Sequence, residues 1–452
     1  MRVLFQKLRS IHFVSLMGNG IMSVFLMIFT AILYRYLSIT DIGIWIFFQT
    51  GLSFLDTFRN GFLTTAFIKF YAGSSKERGQ EIIGSTWYIA SAITAFFLVL
   101  NVLAFIAVPY ISEPSLNYFI KYFSINLVCS LPMILAMCIA QAELKFDRLL
   151  YIRAAQVILL MSFLILLIVT KKNSLTYLMY ANILAALLTS LLCLVAGWTG
   201  IKHFFKKTRS AIKELYHFGK YTVGTSISAN LFGVTDTFII NFMLGPAALG
   251  IYNIGKRLME IVEIPLRSFV ATAFPEMSVA YNQNKKEQVI DIMKKYTGML
   301  TVALVPFLII GFIFAPLAIG MIGGEKYIGT EAGAYATNVL RFFFTFALLY
   351  PADRFLAITL DVIHKPQINF YKVVVMLIVN LITDIGGVYI FKNIYGVAIA
   401  TIFPILTAII IAHFALQKYY MCFPFFDTYS VGLRELKLFI KSRSTIFKNN
   451  KF

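Results

Sequence analysis

The chain has 452 residues, 59% of them hydrophobic and 13% charged, with a mean hydropathy of +0.79. That apolar share lies well above the composition of ordinary soluble proteins and argues against a water-soluble fold. A formal net charge of +19 would suit nucleic acid, but no groove-reading or aromatic-interleaved motif accompanies the basic clusters, so no nucleic-acid partner is expected.

Apolar runs of about 20 residues, the length that crosses a bilayer, occur twelve times. In chain order they lie near 13–36, 44–68, 83–109, 118–142, 149–170, 175–198, 218–244, 250–274, 297–322, 335–358, 367–391 and 395–417. The first follows the basic start MRVLFQKLRS. It is too long for the apolar region of a signal peptide and lacks an A-x-A-like cleavage site, so it reads as a retained span. The expected fold is an all-α polytopic membrane protein of about twelve transmembrane helices.

Charge orients these spans. With the N-terminus cytoplasmic, the segments 1–12, 69–82, 143–153, 199–220, 275–296, 359–366 and 418–452 carry 27 Lys and Arg, against four in the opposite loops: Lys171, Lys172, Lys326 and Lys392. This positive-inside bias predicts that both termini are cytoplasmic. The clusters KHFFKKTRSAIK (202–213) and LRELKLFIKSRS (433–444) are expected to lie against anionic membrane lipids. In the second, Leu433, Leu436 and Ile440 share a helical face, as an interfacial helix requires. Cys129, Cys138, Cys193 and Cys422 show no C-x-x-C spacing, and neither a disulfide framework nor a metal site is expected.

Nine basic residues and the acids Asp56, Asp236, Glu260, Glu263, Asp353 and Asp384 fall inside spans. Ionisable groups are costly in hydrocarbon and usually face a bundle interior or a water-filled cavity. At about 100° per residue, Lys256, Glu260, Glu263 and Arg267 form one stripe on the eighth span, with Asn253 beside them. The second span carries a weaker version, Gln49, Ser53, Asp56 and Asn60, and an offset of 207 superposes the two stripes. The same offset maps Asn19, Ser23, Thr30 and Tyr34 onto Ser226, Asn230, Thr237 and Asn241, and YLSITDIGIW (36–45) onto MLGPAALGIY (243–252).

The halves thus read as one six-span unit used twice in parallel. The expected organisation is an N-terminal lobe at 1–200, a basic linker at 201–217, a C-terminal lobe at 218–417 and a basic tail at 418–452. Two explanations of the stripes stand side by side: polar residues that hold helices together, and spans 1, 2, 7 and 8 lining a cavity between pseudo-symmetric lobes.

The loop LGPAALGIYNIGKRL (244–258), FPEMS (274–278), GEKYIG (324–329) and NIYGVAIAT (393–401) resemble landmarks of the polysaccharide-biosynthesis membrane proteins. These are the oligosaccharide flippases, or Wzx-type O-antigen translocases, of the multidrug/oligosaccharidyl-lipid/polysaccharide exporter superfamily. The resemblance runs from about 10 to 417. It implies a MATE-like, V-shaped bundle of two six-helix lobes that moves a polyprenyl-pyrophosphate-linked oligosaccharide from the cytoplasmic to the outer leaflet of the bacterial inner membrane. The mechanism implied is alternating access without nucleotide hydrolysis, in the synthesis of O-antigen, capsule or exopolysaccharide.

A pyrophosphate must stay paired with positive charge as it crosses a low-dielectric region, and Arg offers a bidentate fork for it. Arg35, Arg59, Lys256 and Arg267 are the candidates, with Asn60 and Asn230 in the sugar cavity. Arg59 lies off the repeat and has a second reading as a helix-interface residue. Glu260 and Glu263 either neutralise Lys256, Arg257 and Arg267 at i,i+3 and i,i+4 spacing or bind a driving H⁺ or Na⁺. Asp56, Asp236 and Asp384 are further candidates for charge balance or ion coupling. Prolines at 132, 265, 306, 316, 351 and 404 are expected to kink their spans, with Pro265 placed to let the eighth span bend.

Rival functions are a MATE-like multidrug or metabolite antiporter and an integral-membrane glycan ligase or polymerase. The antiporter would suit an acid-dominated cavity, whereas basic residues outnumber acids here. No Walker loop and no loop with converging acids supports an enzyme, and no cofactor is expected. The expected partners are the lipid-linked oligosaccharide, membrane lipids, a coupling ion and the polysaccharide polymerase machinery.

Overall fold

The computed structural model describes residues 24–172 and 174–435. Regular structure among the described residues is helical, with no β-strand. The chain divides into two compact units, Met1–Thr237 and Phe238–Phe452, the division falling inside a helix beyond the basic linker.

The first unit contains α1 (Val24–Tyr36), α2 (Ile39–Asn60), a π-helical turn (Gly61–Thr65), α3 (Ala66–Tyr71), α4 (Lys76–Ala107), α5 (Pro114–Ala142), α6 (Phe146–Val169), α7 (Leu175–Val195) and most of α8 (Arg209–Leu244). Side chains set several of the starts. Ser38 accepts from the Asp41 amide at 3.1 Å, Ser75 from that of Arg78 at 3.3 Å, and Glu113 from that of Leu116 at 2.6 Å, with Pro114 in the first turn. Each occupies an orphan amide of a helix N-terminus.

Helix α5 is the spine of this unit and packs on α2, α4, α6 and α7. Its most apolar stretch is 67% buried, against 11% for α6, so polar groups on α5 meet protein whereas much of α6 is left to meet lipid. A core of Leu63, Phe67, Trp87, Ile134, Leu135 and Leu215 joins α2–α3, α4, α5 and α8. Trp87 adds a hydrogen bond from Nε1 to the Thr199 carbonyl at 2.8 Å, which gives the indole the partner that burial demands.

The second unit holds α9 (Pro246–Asn282), α10 (Lys286–Ile313), α11 (Ala315–Gly323), α12 (Glu331–Ala347), α13 (Tyr350–Val362), α14 (Pro366–Phe391), α15 (Ile394–Ala400) and α16 (Ile402–Tyr419). Helix α9 has 37 residues, with Pro265 and Pro275 inside it, and is about 55 Å long at 1.5 Å per residue. It packs on α10, α12 and α13. Helices α12 and α13 meet at a 45° bend just before Pro351. Where α14 crosses α15, a Cβ on Gly387 would lie 2.4 Å from the Gly396 carbonyl oxygen; only glycine admits that approach.

Among the described residues, the expected spans fall on helices or on consecutive helices, the second on α2, the π turn and α3. Length and apolar composition alone qualify seven helices among the described residues as membrane-crossing, or eight counting the bent α12–α13 pair. Of the other helices, α1 is described only from Val24, and α9 carries the charged stripe. The single span expected at 297–322 is two helices, α10 and α11, because Pro316 stands at the start of α11. Asn19 and Ser23 of the repeat, and the tail beyond 435, lie outside the described residues.

Candidate functional site

The site begins where α2 turns π-helical. A π turn interrupts the i→i−4 ladder and recurs at functional sites. Here the Thr222 hydroxyl donates to the Gly61 carbonyl at 2.6 Å. Gly61 lets α8 come that close, since a Cβ there would meet Val223 Cγ2 at 2.7 Å and its Cα at 2.9 Å. Two turns further along α8, Asn230 Nδ2 donates to Thr57 Oγ1 at 2.7 Å, and that hydroxyl donates in turn to the Ser53 carbonyl at 3.0 Å.

These two clasps border a pocket of about 660 Å³. Thr57, Asn60, Thr64 and Thr65 form one wall, Met137, Cys138 and Gln141 of α5 another, and Ser226 and Asn230 of α8 a third, with Arg153 of α6 as the charged member of the lining. Thr64 Oγ1 is 3.4 Å from Cys138 Sγ. Hydroxyls and side-chain amides both donate and accept, so this wall matches a polyhydroxylated ligand. Arg153 adds a planar fork suited to phosphate oxygens.

The structure therefore brings Asn60 and Asn230 into one pocket. Arg59, expected as a pyrophosphate ligand or a helix-interface residue, lies between helices with its side chain 0% exposed. Its guanidinium donates to Asp56, to the Leu127 carbonyl at 2.7 Å and to Ser130 Oγ at 2.9 Å. Asp56 is thus that arginine's counterion. Gln49 reaches Asn182 of α7 at 3.5 Å, so the upper part of the α2 stripe fastens helices while its lower end opens on the pocket. Arg35 is exposed at the end of α1, and Asp236 is buried on α8.

In the second unit, Arg257 pairs with Glu260 at 2.6 Å and Arg267 with Glu263 at 2.5 Å, the local neutralisation that their spacing allows. Lys256 sits half-buried on the same helix, and Arg267 keeps 78% of its side chain exposed. Asp384 is buried on α14 and accepts from Asn380 at 2.7 Å, about three turns from a Lys372–Asp353 pair at 2.9 Å.

Sequence reasoning missed Thr57, Thr64, Gln141 and Arg153. The threonines are too weakly polar to stand out from apolar runs, and Arg153 counts equally well as a positive-inside residue.

Long apolar helices in two units, with a polar pocket lined by helices of the first, define a multi-pass membrane protein. The solved structure of the lipid II flippase MurJ, in an inward closed conformation, shares this fold with a TM-score of 0.71 at 15% identity, over 96% of this chain and 92% of that one. An inward-facing multidrug resistance MATE family transporter of the MOP superfamily matches with a TM-score of 0.68 at 14% identity, over 93% and 96%. Residues 32–331 match the family model described as polysaccharide biosynthesis protein, and the chain belongs to that family. Two relatives from Haloferax volcanii are similar: the probable low-salt glycan biosynthesis flippase Agl15, 22% identical over 200 residues, and the probable flippase AglR, 23% identical over 215. The matches span 44% and 48% of this chain but only 40% and 44% of those relatives.

Proposed function

We propose that the protein is a flippase, not an enzyme, that carries a polyprenyl-pyrophosphate-linked oligosaccharide from the cytoplasmic to the outer leaflet of the bacterial inner membrane by alternating access. Its place is in the building of a surface polysaccharide, beside the polymerase machinery, with both termini cytoplasmic. The observation that carries this reading is the chemistry of the pocket in the first unit: neutral amides and hydroxyls suited to sugar hydroxyls, with one arginine suited to phosphate. Membership of the polysaccharide biosynthesis family and the flippase names of the archaeal relatives support the same cargo. A H⁺ or Na⁺ gradient is the proposed drive, with Asp236 and Asp384, both buried, as the coupling acids.

Occupancy of the pocket is testable directly. Asn60 is exposed on the pocket wall, so in a Cys422→Ser background Asn60→Cys becomes a maleimide target. Lipid-linked oligosaccharide should slow its labelling, whereas the polyprenyl phosphate carrier without sugar should slow it less. Identical labelling rates with and without the glycolipid would remove the pocket from the cargo path.

A further inference from the structure

Three loops of the first unit converge on a second pocket of about 650 Å³, whose lining shares no residue with the polar one. They are the α3–α4 turn, the α5–α6 turn and the α7–α8 connection, each from a segment that contributes to the positive-inside bias. Lys76, Lys145 and Arg148 line the pocket, with one carboxylate among them, Glu143. That acid accepts from Tyr71 Oη at 3.0 Å and from Lys145 at 2.5 Å, with Arg148 at 3.9 Å. Burial, reinforced by Glu143, pushes the Tyr71 phenol up to about 12, so it remains a donor. Three cations against one committed carboxylate leave the concavity with a positive excess of two.

Two details separate this arrangement from a merely solvated basic face. The Arg148 guanidinium lies over the Trp198 ring, 5.7 Å from its centroid, which holds the planar fork in a fixed orientation at the pocket wall. His203, also in the lining, has a buried Nδ1 with no hydrogen-bond partner among the described residues, a cost that a bound donor or acceptor would relieve. Lys76, in the first turn of α4 beside the Ser75 cap, makes no salt bridge among the described residues.

We propose that this pocket binds a phosphate-bearing group at the membrane surface, at a site separate from the polar pocket, through Lys76, Lys145 and Arg148. The volume exceeds that of a bare phosphate and accommodates a lipid headgroup. The phosphate belongs either to an anionic phospholipid or to the pyrophosphate of a lipid carrier, and the chemistry read is the same.

The test uses the purified full chain in detergent, with native mass spectrometry counting retained phosphatidylglycerol or phosphatidylcholine, with and without inorganic pyrophosphate. The wild type should retain phosphatidylglycerol preferentially. Lys145→Gln/Arg148→Gln should weaken retention about tenfold or more, as the loss of charge-assisted contacts implies. Lys76→Gln, which disturbs no ion pair, should weaken it with the melting temperature unchanged. Retention displaced by pyrophosphate assigns the site to lipid headgroups read through phosphate. Pyrophosphate binding that needs the same three residues, without phosphatidylglycerol retention, assigns it to a carrier pyrophosphate. Retention equal in wild type and all variants would overturn the proposal.

Discussion

The Arg59 side chain is fully buried, and Asp56, Ser130 and the Leu127 carbonyl receive its N–H groups. Removing Arg59 leaves the buried Ser130 and the Leu127 carbonyl without their donor and strands Asp56, whose side chain is one third exposed, so the cost falls toward the lower end of the range of about 3–5 kcal/mol for a fully buried pair. Arg59→Ala should therefore lower thermal stability sharply and reduce folded protein, measured by the melting temperature in detergent. Loss of transport with stability unchanged would instead return Arg59 to the cargo path. The stripe Gln49, Ser53, Asp56 and Asn60 is legible in the sequence because a helix repeats every 3.6 residues. The burial of Arg59 is not, because its partners beyond Asp56, the Leu127 carbonyl and Ser130, lie on α5, about seventy positions away in a run that reads as apolar.

His203 titrates in the opposite sense to a paired histidine. Burial, together with Lys206 and Lys202, lowers its pKa below 6.5, so the folded chain binds its proton less readily than the unfolded one. Its contribution is fully present above the unfolded value and is lost as pH falls through the lowered folded value. The melting temperature of wild type should therefore fall faster than that of His203→Gln between neutral pH and the acid side of the unfolded value. Parallel profiles would contradict this assignment.

At the scale of elements, the π turn couples packing to the site. Gly61 brings α2 and α8 into contact, and both helices line the pocket. Gly61→Ala would force the Val223 backbone away, and overpacking of this kind costs about 1–3 kcal/mol. A loss of that size in stability, with altered Asn60→Cys labelling, is expected; unchanged stability and labelling would show that the contact does not shape the pocket. A single glycine between Asn60 and Phe62 gives no sign of a π turn in sequence. The turn lies where α8 approaches closely, a tertiary feature that local pattern does not carry. On α9 the i,i+3 and i,i+4 spacing allows pairing of Glu260 and Glu263 with neighbouring cations, and Arg257–Glu260 and Arg267–Glu263 pairs are present.

For the whole molecule, composition and apolar runs suffice to place the helices, because every backbone polar group in lipid must be satisfied within its own segment. The helical class was accordingly legible, whereas the MATE-like fold was implied only by the resemblance of motifs such as LGPAALGIYNIGKRL (244–258) and NIYGVAIAT (393–401). The polar pocket was legible only in part: Asn60 and Asn230 stand out as amides in apolar runs, whereas Gln141 and Arg153 lie near span ends, where polar residues are ordinary.

The most direct measurement is leaflet transfer of a polyprenyl-pyrophosphate oligosaccharide in proteoliposomes, read by access of an external sugar-oxidising probe. Wild type should transfer the glycolipid, and Arg153→Ala should slow transfer about tenfold or more, the loss expected for a charge-assisted contact to phosphate, with folding intact. Wild-type protein that moves no glycolipid, given a donor matched to its host, would contradict the flippase reading and favour an antiporter on the same fold.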